Sequence, residues 1–556
     1  MKLLTVILLL ILLQTSNLSQ VENVPADNYV YDFLKVLSVK GIITGYDDMV
    51  LPLSKRTITN FLVEAEQKKI LLSENEKNLL DRLKIKLDIK DNNSSVLFTD
   101  VFPSGLNLFF SKDKTKYFYS YKDSSLNIYL NPIFEDKFIY SQDKNSNANL
   151  FNFGGKLYGS YSDWFGFYAS ASNGIQSGDR SAAELDPTIN QSFTFNNTQI
   201  NYFDHTEGYA RLEKGKISLQ IGRERILWGR GINKLIISDN APIFDFIKFS
   251  ASFSIFSIDF LHGWLVQPPN YTFDSINNIY IKNKDPKYIA VSRLGVSPSN
   301  NLSFGVTQTI IYANRPVELA YLNPFLLFES AQRSMNDLDN SFLAFDAKVR
   351  VINGLEISSI INFDDIDFKT ITTDGFGGIQ TRYGWDINMN LTNPLLPENL
   401  SFIFDYLVLR PYMYSHYDVV GESILYTNNG YLIGPGLQPN SIEISLKANY
   451  IFTPDLILQV AYNNIKHGNN IYDQNGNLVR NVGGDIFQFF RSGDSRRTYI
   501  LDGVLDVTNK ISFNLEYEFT LGFYLGFQYD YISFNKGDLE NKKENNFWGV
   551  FRYNIL

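Results

Sequence analysis

A closed, membrane-spanning β-barrel of about eighteen antiparallel strands, joined to a small N-terminal α-helical bundle, is the fold this sequence predicts. Three observations point there: an export-type leader, long runs of period-two alternation, and an aromatic-rich chain without cysteine.

The leader comes first. Lys2 supplies a positive start, residues 3–13 are apolar except for Thr5, and residues 14–19 are mostly polar. That is the layout of a secretory signal, expected over residues 1–19 with cleavage near Ser19. No later stretch approaches the ~18 continuous apolar residues that a spanning helix needs. The exported chain is therefore expected either free outside the cytoplasm or inserted as a barrel. The absence of cysteine excludes disulfides, cysteine zinc sites, thiol nucleophiles and a lipid-modified cysteine.

Between Ile511 and Tyr531 every odd-numbered residue is apolar or aromatic, and the even ones are small or polar apart from Tyr524. A strand sends alternate side chains to opposite faces, so this run is wet on one side and apolar on the other. Strands of ordinary soluble sheets are mostly about five or six residues long. The longer run, with aromatics on its apolar face, is the transmembrane-barrel pattern. Hydrophobic residues are 44% of the chain and aromatics 15%, which suits interfacial girdles and also a sugar-binding surface. The net charge of −9 argues against nucleic acid as a partner.

Residues 25–90 read as a helical bundle on the periplasmic side. Phe33, Leu34, Val36 and Leu37 mark a first helix that Gly41 stops; Ile58, Phe61, Leu62 and Ala65 mark a second; Leu79, Leu80, Leu83 and Leu87 mark a third. From residue 96 to 556 period two takes over. Ile442, Ile444 and Leu446 alternate with Glu443 and Ser445, and Thr453-Pro-Asp455 is a tight-turn signature before Leu456, Leu458 and Val460. Phe402, Phe404, Tyr406 and Val408 give a further strand, as do Phe165, Phe167, Ala169 and Ala171. Residues 172–192 and 463–485, rich in Asn, Gly, Asp and Ser, are expected as loops. Phe547, Gly549, Phe551, Tyr553 and Ile555 read as the closing strand. Roughly 460 residues at about 25 per strand with its share of loop give the strand number.

The densest candidate binding segment is residues 221–245, with Arg223, Arg225, Trp228, Arg230 and Asn240. Forked arginine donors suit carboxylates and an indole suits the apolar face of a sugar ring. Lumenal arginines of a barrel also pair with Asp and Glu, so a structural role stays open beside the binding one. Asp364, Asp365 and Asp367 with Arg382 and Trp385 form a second candidate, for sugar or for mutual pairing inside the lumen. Arg491, Asp494, Arg496 and Arg497 read as a solvated loop or a contact of a plug. The four histidines have no metal-ligand spacing, and no nucleophile elbow or phosphate loop occurs, so neither cofactor, metal nor catalytic residue is expected.

The run GRERILWGRGINKLIISDNAPIFD, residues 222–245, resembles the signature of the Wzi family of capsule-assembly outer-membrane proteins. Further likeness follows in Tyr321-Leu-Asn-Pro-Phe325, in Asn353-Gly354 with Phe363-Asp-Asp365, in His416-Tyr-Asp418 and in Asn481-Val-Gly-Gly-Asp485. The resemblance implies an eighteen-stranded outer-membrane barrel above a helical bundle. It also implies a lectin-like, non-enzymatic role in attaching capsular or related polysaccharide, near Arg223, Arg225, Trp228, Arg230 and Asn240 or within a plug. Surface polysaccharide and outer-membrane lipid are then the expected partners. A fainter likeness of residues 33–56 to an S-layer homology unit implies contact of the bundle with peptidoglycan. A passive channel and a cell-wall-anchored structural barrel are the competing roles.

Overall fold

The computed structural model describes residues 20–89, 95–97, 109–196, 201–267, 270–274, 279–283, 285–365, 378, 381–416, 421–537 and 541–555. The leader, Asp367, Tyr417 and Asp418 lie outside the described residues.

Three helices open the described chain: α1 (Val30–Val39), α2 (Lys55–Gln67) and α3 (Glu74–Lys86). Each ends for a local reason. Gly41, at φ +78°, turns the chain after α1, where an L side chain would be strained. Ser54 caps α2 by accepting from the Thr57 N–H, and Ser73 with Glu76 forms a capping box on α3. Their apolar stripes meet in one core with Leu34, Leu37, Ile58, Leu62, Leu80 and Leu83 at its centre.

The wall begins with β1 (Leu126–Ser141), β2 (Ser146–Tyr161), β3 (Phe165–Gly178), β4 (Asn201–Lys214), β5 (Ile217–Arg223) and β6 (Asp245–Phe253). It continues with β7 (Phe256–Leu265), β8 (Lys287–Ser299), β9 (Leu302–Ala313), β10 (Asn340–Ile352), β11 (Leu355–Asp365) and β12 (Arg382–Leu391). Then come β13 (Leu400–Leu409), β14 (Ser441–Thr453), β15 (Leu456–Asn469), β16 (Val504–Thr520), β17 (Phe523–Lys536) and β18 (Lys542–Tyr553). Among the described residues these eighteen strands form one closed antiparallel barrel, β18 pairing back onto β1 from Asn546↔Ser141 to Tyr553↔Phe134. Two short strands, Tyr119–Lys122 and Phe193–Asn196, add to the ring without interrupting it. Closure leaves no unpaired edge in the hydrocarbon, the condition for spanning it with strands. No helix among the described residues is long and apolar enough to cross a membrane.

One end of the barrel carries two-residue turns at 215–216, 254–255, 300–301, 353–354, 454–455 and 521–522. The other carries long connections, including 224–244, 314–339, 410–440 and 470–503. Short turns mark the periplasmic end and long ones the outside. Outward positions are apolar and open, such as Leu219, Ile221, Phe513, Leu515, Leu525 and Phe527. The apolar outer band places the chain in the outer membrane.

Three sequence expectations change here. The 511–531 run is two strands, β16 and β17, joined at Leu521–Gly522; cross-strand pairs such as Phe513↔Tyr529 keep odd residues on the lipid side of both. The misfit Tyr524 points inward, with Lys86 Nζ 5.1 Å and Arg552 Cζ 4.9 Å from its ring centroid, so it ties α3 to the wall. The expected loops at 172–192 and 463–485 begin later, at 179 and 470, because their polar first halves are strand. Asn463, for example, faces the lumen and donates to Glu443 Oε1 at 2.9 Å. The wall strand ends at Tyr553; Ile555 lies past it, buried against the bundle core.

The bundle closes the periplasmic mouth. Arg350 donates to the Ser38 carbonyl at 2.7 Å and the Gly354 N–H to the Val39 carbonyl at 2.9 Å. Ser73 reaches Asn399 at 2.8 Å, Lys86 pairs with Glu518 at 2.8 Å, and Lys35 pairs with Glu356 at 2.6 Å. The stretch with S-layer likeness is turned into this junction, where Asp47 and Asp48 face the barrel interior and meet Arg230.

Candidate functional site

The 224–244 connection starts at the wall and turns into the lumen, where it meets the bundle. Leu227–Trp228 pairs antiparallel with Val50–Leu51, and the Gly229 N–H donates to the Met49 carbonyl at 2.9 Å. Trp228 and Ile237 exchange backbone bonds at 2.7 and 3.0 Å, so the segment doubles back at 229–236. Gly231 sits at that tip with φ +76°, and a Cβ there would lie 2.5 Å from Asp386 Oδ2. Only glycine fits both constraints. Around the tip, the Ile232 N–H donates to Asp405, Asn233 to Glu443, and Lys234 to the Gly231 carbonyl at 2.7 Å.

A second connection, 410–440, packs over the first. Tyr414 donates to the Leu235 carbonyl at 2.8 Å, Tyr426 to that of Ile236 at 2.9 Å, and Ser238 to that of Gly434 at 2.6 Å. Their apolar side chains join Met49, Val50 and the inward residues of the wall in one lumenal core. Trp228 lies inside it at 0% exposure.

Arg230 is the hub that joins plug, bundle and wall. Its guanidinium pairs with Asp47, with Asp48 at 3.3 Å and with Asp346 at 2.9 Å; Asp346 also pairs with Arg293 at 2.9 Å. The Arg230 side chain is 1% exposed. Burial would raise the Asp47 carboxyl, but the Arg230 guanidinium, with Lys348 and Arg293 behind it, holds the group well below the usual carboxylate range. Removing one member of such a network leaves the others short of a partner, which at a buried pair costs about 3–5 kcal/mol.

The candidate binding residues therefore part company. Trp228 and Arg230 are interior plug residues and present no surface to a polymer, a correction of the expected sugar platform. Arg223 shares the outward face of β5 with Leu219 and Ile221 and is held bidentate by Asp245 at 2.8 and 2.9 Å. It points away from Trp228. Arg225 and Asn240 lie on the outer part of the plug, both partly exposed. Arg225 donates to neutral acceptors, the Asp239 carbonyl at 3.2 Å and Gln191 Oε1 at 3.1 Å; Asn240 donates to the Leu432 carbonyl at 2.9 Å.

The second candidate divides in the same way. Asp364 is buried, accepts from the Tyr414 N–H at 2.7 Å and pairs with Arg382 at 3.5 Å; Arg382 also donates to the Tyr412 and Ser415 carbonyls. They secure the 410–440 connection. Trp385 is three residues on from Arg382, hence on the opposite face. It is 38% exposed on the lipid side, with Nε1 donating to Ser359 Oγ at 3.0 Å, so it cannot share a site with Arg382.

Sequence reasoning gave little weight to the 470–503 connection. Arg410 fixes it at the Thr498 carbonyl at 3.2 Å, and Arg491 ties its two halves through the Leu478 carbonyl at 3.1 Å. On that frame Arg496 and Tyr499 are exposed, Tyr499 at 62%. A tyrosine next but two to an arginine was the available signal, diluted by the polar composition around it.

Residues 143–382 match the family model described as capsule assembly protein Wzi. The chain is similar in fold to the Escherichia coli outer membrane protein Wzi, which is involved in group 1 capsule assembly and described as a carbohydrate-binding β-barrel. The two are 12% identical, with a TM-score of 0.54, over 96% of this chain and 99% of that one. Pseudomonas aeruginosa OprD is 10% identical with a TM-score of 0.41, over 77% and 94% of the two chains. Acinetobacter baumannii OccAB2 is 14% identical with a TM-score of 0.44, over 78% and 99%. None of the curated proteins compared with the chain matches it. The signature segment thus lies inside an eighteen-stranded barrel, within the part of the chain that matches the Wzi family model and in a fold shared with the Escherichia coli protein.

Proposed function

We propose that this barrel holds capsular or related polysaccharide at the cell surface, lectin-like and without catalysing a reaction, through its extracellular connections. The observation that carries the reading is the filled lumen. Plug, 410–440 connection and bundle occupy the interior among the described residues, which opposes a passive channel and leaves the outer connections to meet a polymer. Arg225, with neutral partners only among its hydrogen bonds, keeps its charge available for an acidic or hydroxyl-rich chain. Arg496 and the open ring of Tyr499 offer a donor and a stacking face on the 470–503 connection. The description of Escherichia coli Wzi as carbohydrate-binding supports the same assignment. Membrane lipid is the partner of the outer wall. Contact with peptidoglycan is left to the exposed periplasmic face of the bundle, since Arg230 engages Asp47 and Asp48.

The test is binding of the detergent-purified protein to polysaccharide extracted from its own cells, with conductance recorded in a planar bilayer. Saturable binding with a silent bilayer is expected. Arg225→Ala and Tyr499→Ala should each weaken binding by about 1–2 kcal/mol, roughly five- to thirtyfold in Kd, with an unchanged unfolding midpoint. Steady conductance without binding would make the protein a channel and sink the proposal.

A further inference from the structure

The 314–339 connection turns outward and lies on the outer face of the wall. Gln308 of β9 faces outward, on the same side as Val306 and Ile310. Its Oε1 accepts from the Phe328 N–H at 2.9 Å and its Nε2 donates to the Leu326 carbonyl at 2.8 Å. On β8, Ser292 Oγ donates to the Pro324 carbonyl at 2.8 Å. Beneath these bonds Tyr288, Ala290, Ile310 and Tyr312 pack against Tyr321, Phe328 and Ala331. The segment has taken the place that lipid holds on the rest of the wall.

Its level in the membrane follows from the strand. Val306, one outward position below Gln308, is 42% exposed, and Phe304 below it is 44% exposed, both in the lipid-facing band. Two residues along a strand are about 7 Å. The segment thus begins where the exposed apolar band on β9 ends. Its own outer side carries Phe325 at 75% exposure and Leu327 at 64%, with Leu319 and Leu338 also open. Glu329 and Arg333 pair with each other at 2.7 Å on the helix Phe328–Met335. Adjoining large apolar side chains this exposed, continuous with a lipid face and flanked by charge, have the character of an interfacial membrane element.

We propose that residues 319–338 form a fin seated on β7–β9, whose Phe325 and Leu327 side chains enter the acyl chains of the outer leaflet around the barrel. The fin widens the apolar girth of the extracellular end, where the Tyr321-Leu-Asn-Pro-Phe325 motif lies. Tyr321 at one end of the motif is buried against the wall, while Phe325 at the other is left open to the bilayer.

The chain has no cysteine, so Phe325→Cys gives the full-length protein a single attachment point for an environment-sensitive fluorophore. Leu327→Cys is the second, independent position. The labelled barrel would be reconstituted in phosphatidylcholine vesicles carrying doxyl-labelled phospholipid. Val306→Cys in the apolar band and Asn475→Cys in the exposed 470–503 connection serve as lipid and water references. Blue-shifted emission at 325 and 327, quenched by doxyl lipid nearly as strongly as at 306, is expected. Emission as red and as little quenched as at 475 would overturn the proposal. So would blue emission that doxyl lipid leaves intact and that fades on dilution of the protein in the vesicles, which would make this face an interface between two copies. Retained heat-modifiable migration would show that each labelled barrel is folded. None of these outcomes depends on polysaccharide binding.

Discussion

Two long connections leave the same end of this barrel and settle on opposite sides of its wall. The 224–244 plug goes in, where charge holds it: Arg230 stands among Asp47, Asp48 and Asp346 with Arg293 behind. The 314–339 fin goes out, where apolar packing on Tyr288, Ile310 and Tyr312 holds it, with the Gln308 and Ser292 hydrogen bonds and a charged anchor at its end. In that anchor Tyr321 donates to Asp339 Oδ2 at 2.6 Å and Arg315 pairs with the same carboxylate at 2.6 Å. Between plug and fin, β8 is buried at every position from 287 to 293 and β9 from 309 to 313. The sequence records this double cover. Tyr288-Ile-Ala-Val291 and Ile310-Ile-Tyr-Ala313 are unbroken apolar runs, as is Tyr406-Leu-Val-Leu409, whose Leu407 and Leu409 join the same lumenal core. A strand wet on one face alternates; a strand covered on both does not. In a barrel, lost alternation therefore marks where loops have folded back onto the wall.

The largest effect is expected inside the barrel. Arg230→Ala should cost about 3 kcal/mol, because it takes the shared cation from Asp47 and Asp346 and leaves them only Lys348 and Arg293. A lower unfolding midpoint, rapid proteolysis of the bundle and the onset of bilayer conductance are the expected readouts. A silent bilayer and an unchanged midpoint would mean that the plug is held by its apolar core alone. On the outside, Tyr321→Phe removes one hydrogen bond to Asp339 and should cost about 1–2 kcal/mol. Faster hydrogen exchange confined to 314–339, with conductance still absent, would confirm that fin and plug are independent.

Acid separates the two more gently. Asp47 has a folded value depressed below its ordinary 3.8, so its contribution is fully present above that value and is lost as pH falls through the folded one. Protease protection of the bundle should thus be the same at about pH 7 and about pH 5 and decline only well below pH 4. A decline centred near neutrality would point to a different group. The smallest effect on stability belongs to Arg225→Ala, within about 0.5 kcal/mol, since the residue is partly exposed and its partners are neutral. That near-zero change, beside the loss of binding expected of the same variant, separates surface from plug.

Much of the wall was legible because its physics is local. Odd–even parity sorted Phe513, Leu515 and Leu525 to lipid and Glu516 and Glu518 to the lumen, and it held even though the run turned out to be two strands. Capping at Ser54 and Ser73 and the stop at Gly41 belong to short-range backbone chemistry. Parity alone also separates Arg382 from Trp385, three positions apart. Composition misled at 172–192 and 463–485, because polar residues suit a lumenal face as well as a loop.

The site was less legible, since arginine, tryptophan and glycine in one segment fit a sugar platform and a plug equally well. What distinguished them is long-range. Arg230 finds Asp47 183 positions away and Asp346 116 positions away, and Tyr414 reaches Leu235 across 179. A barrel, its inside and outside, and a helical cap follow from the sequence alone, because period two and helix capping are properties of neighbours along the chain. That the signature segment turns inward to be buried while the 319–338 segment turns onto the outer face of the wall is a matter of the folded chain. That choice depends on charges and apolar faces brought together from distant strands, which no local pattern contains.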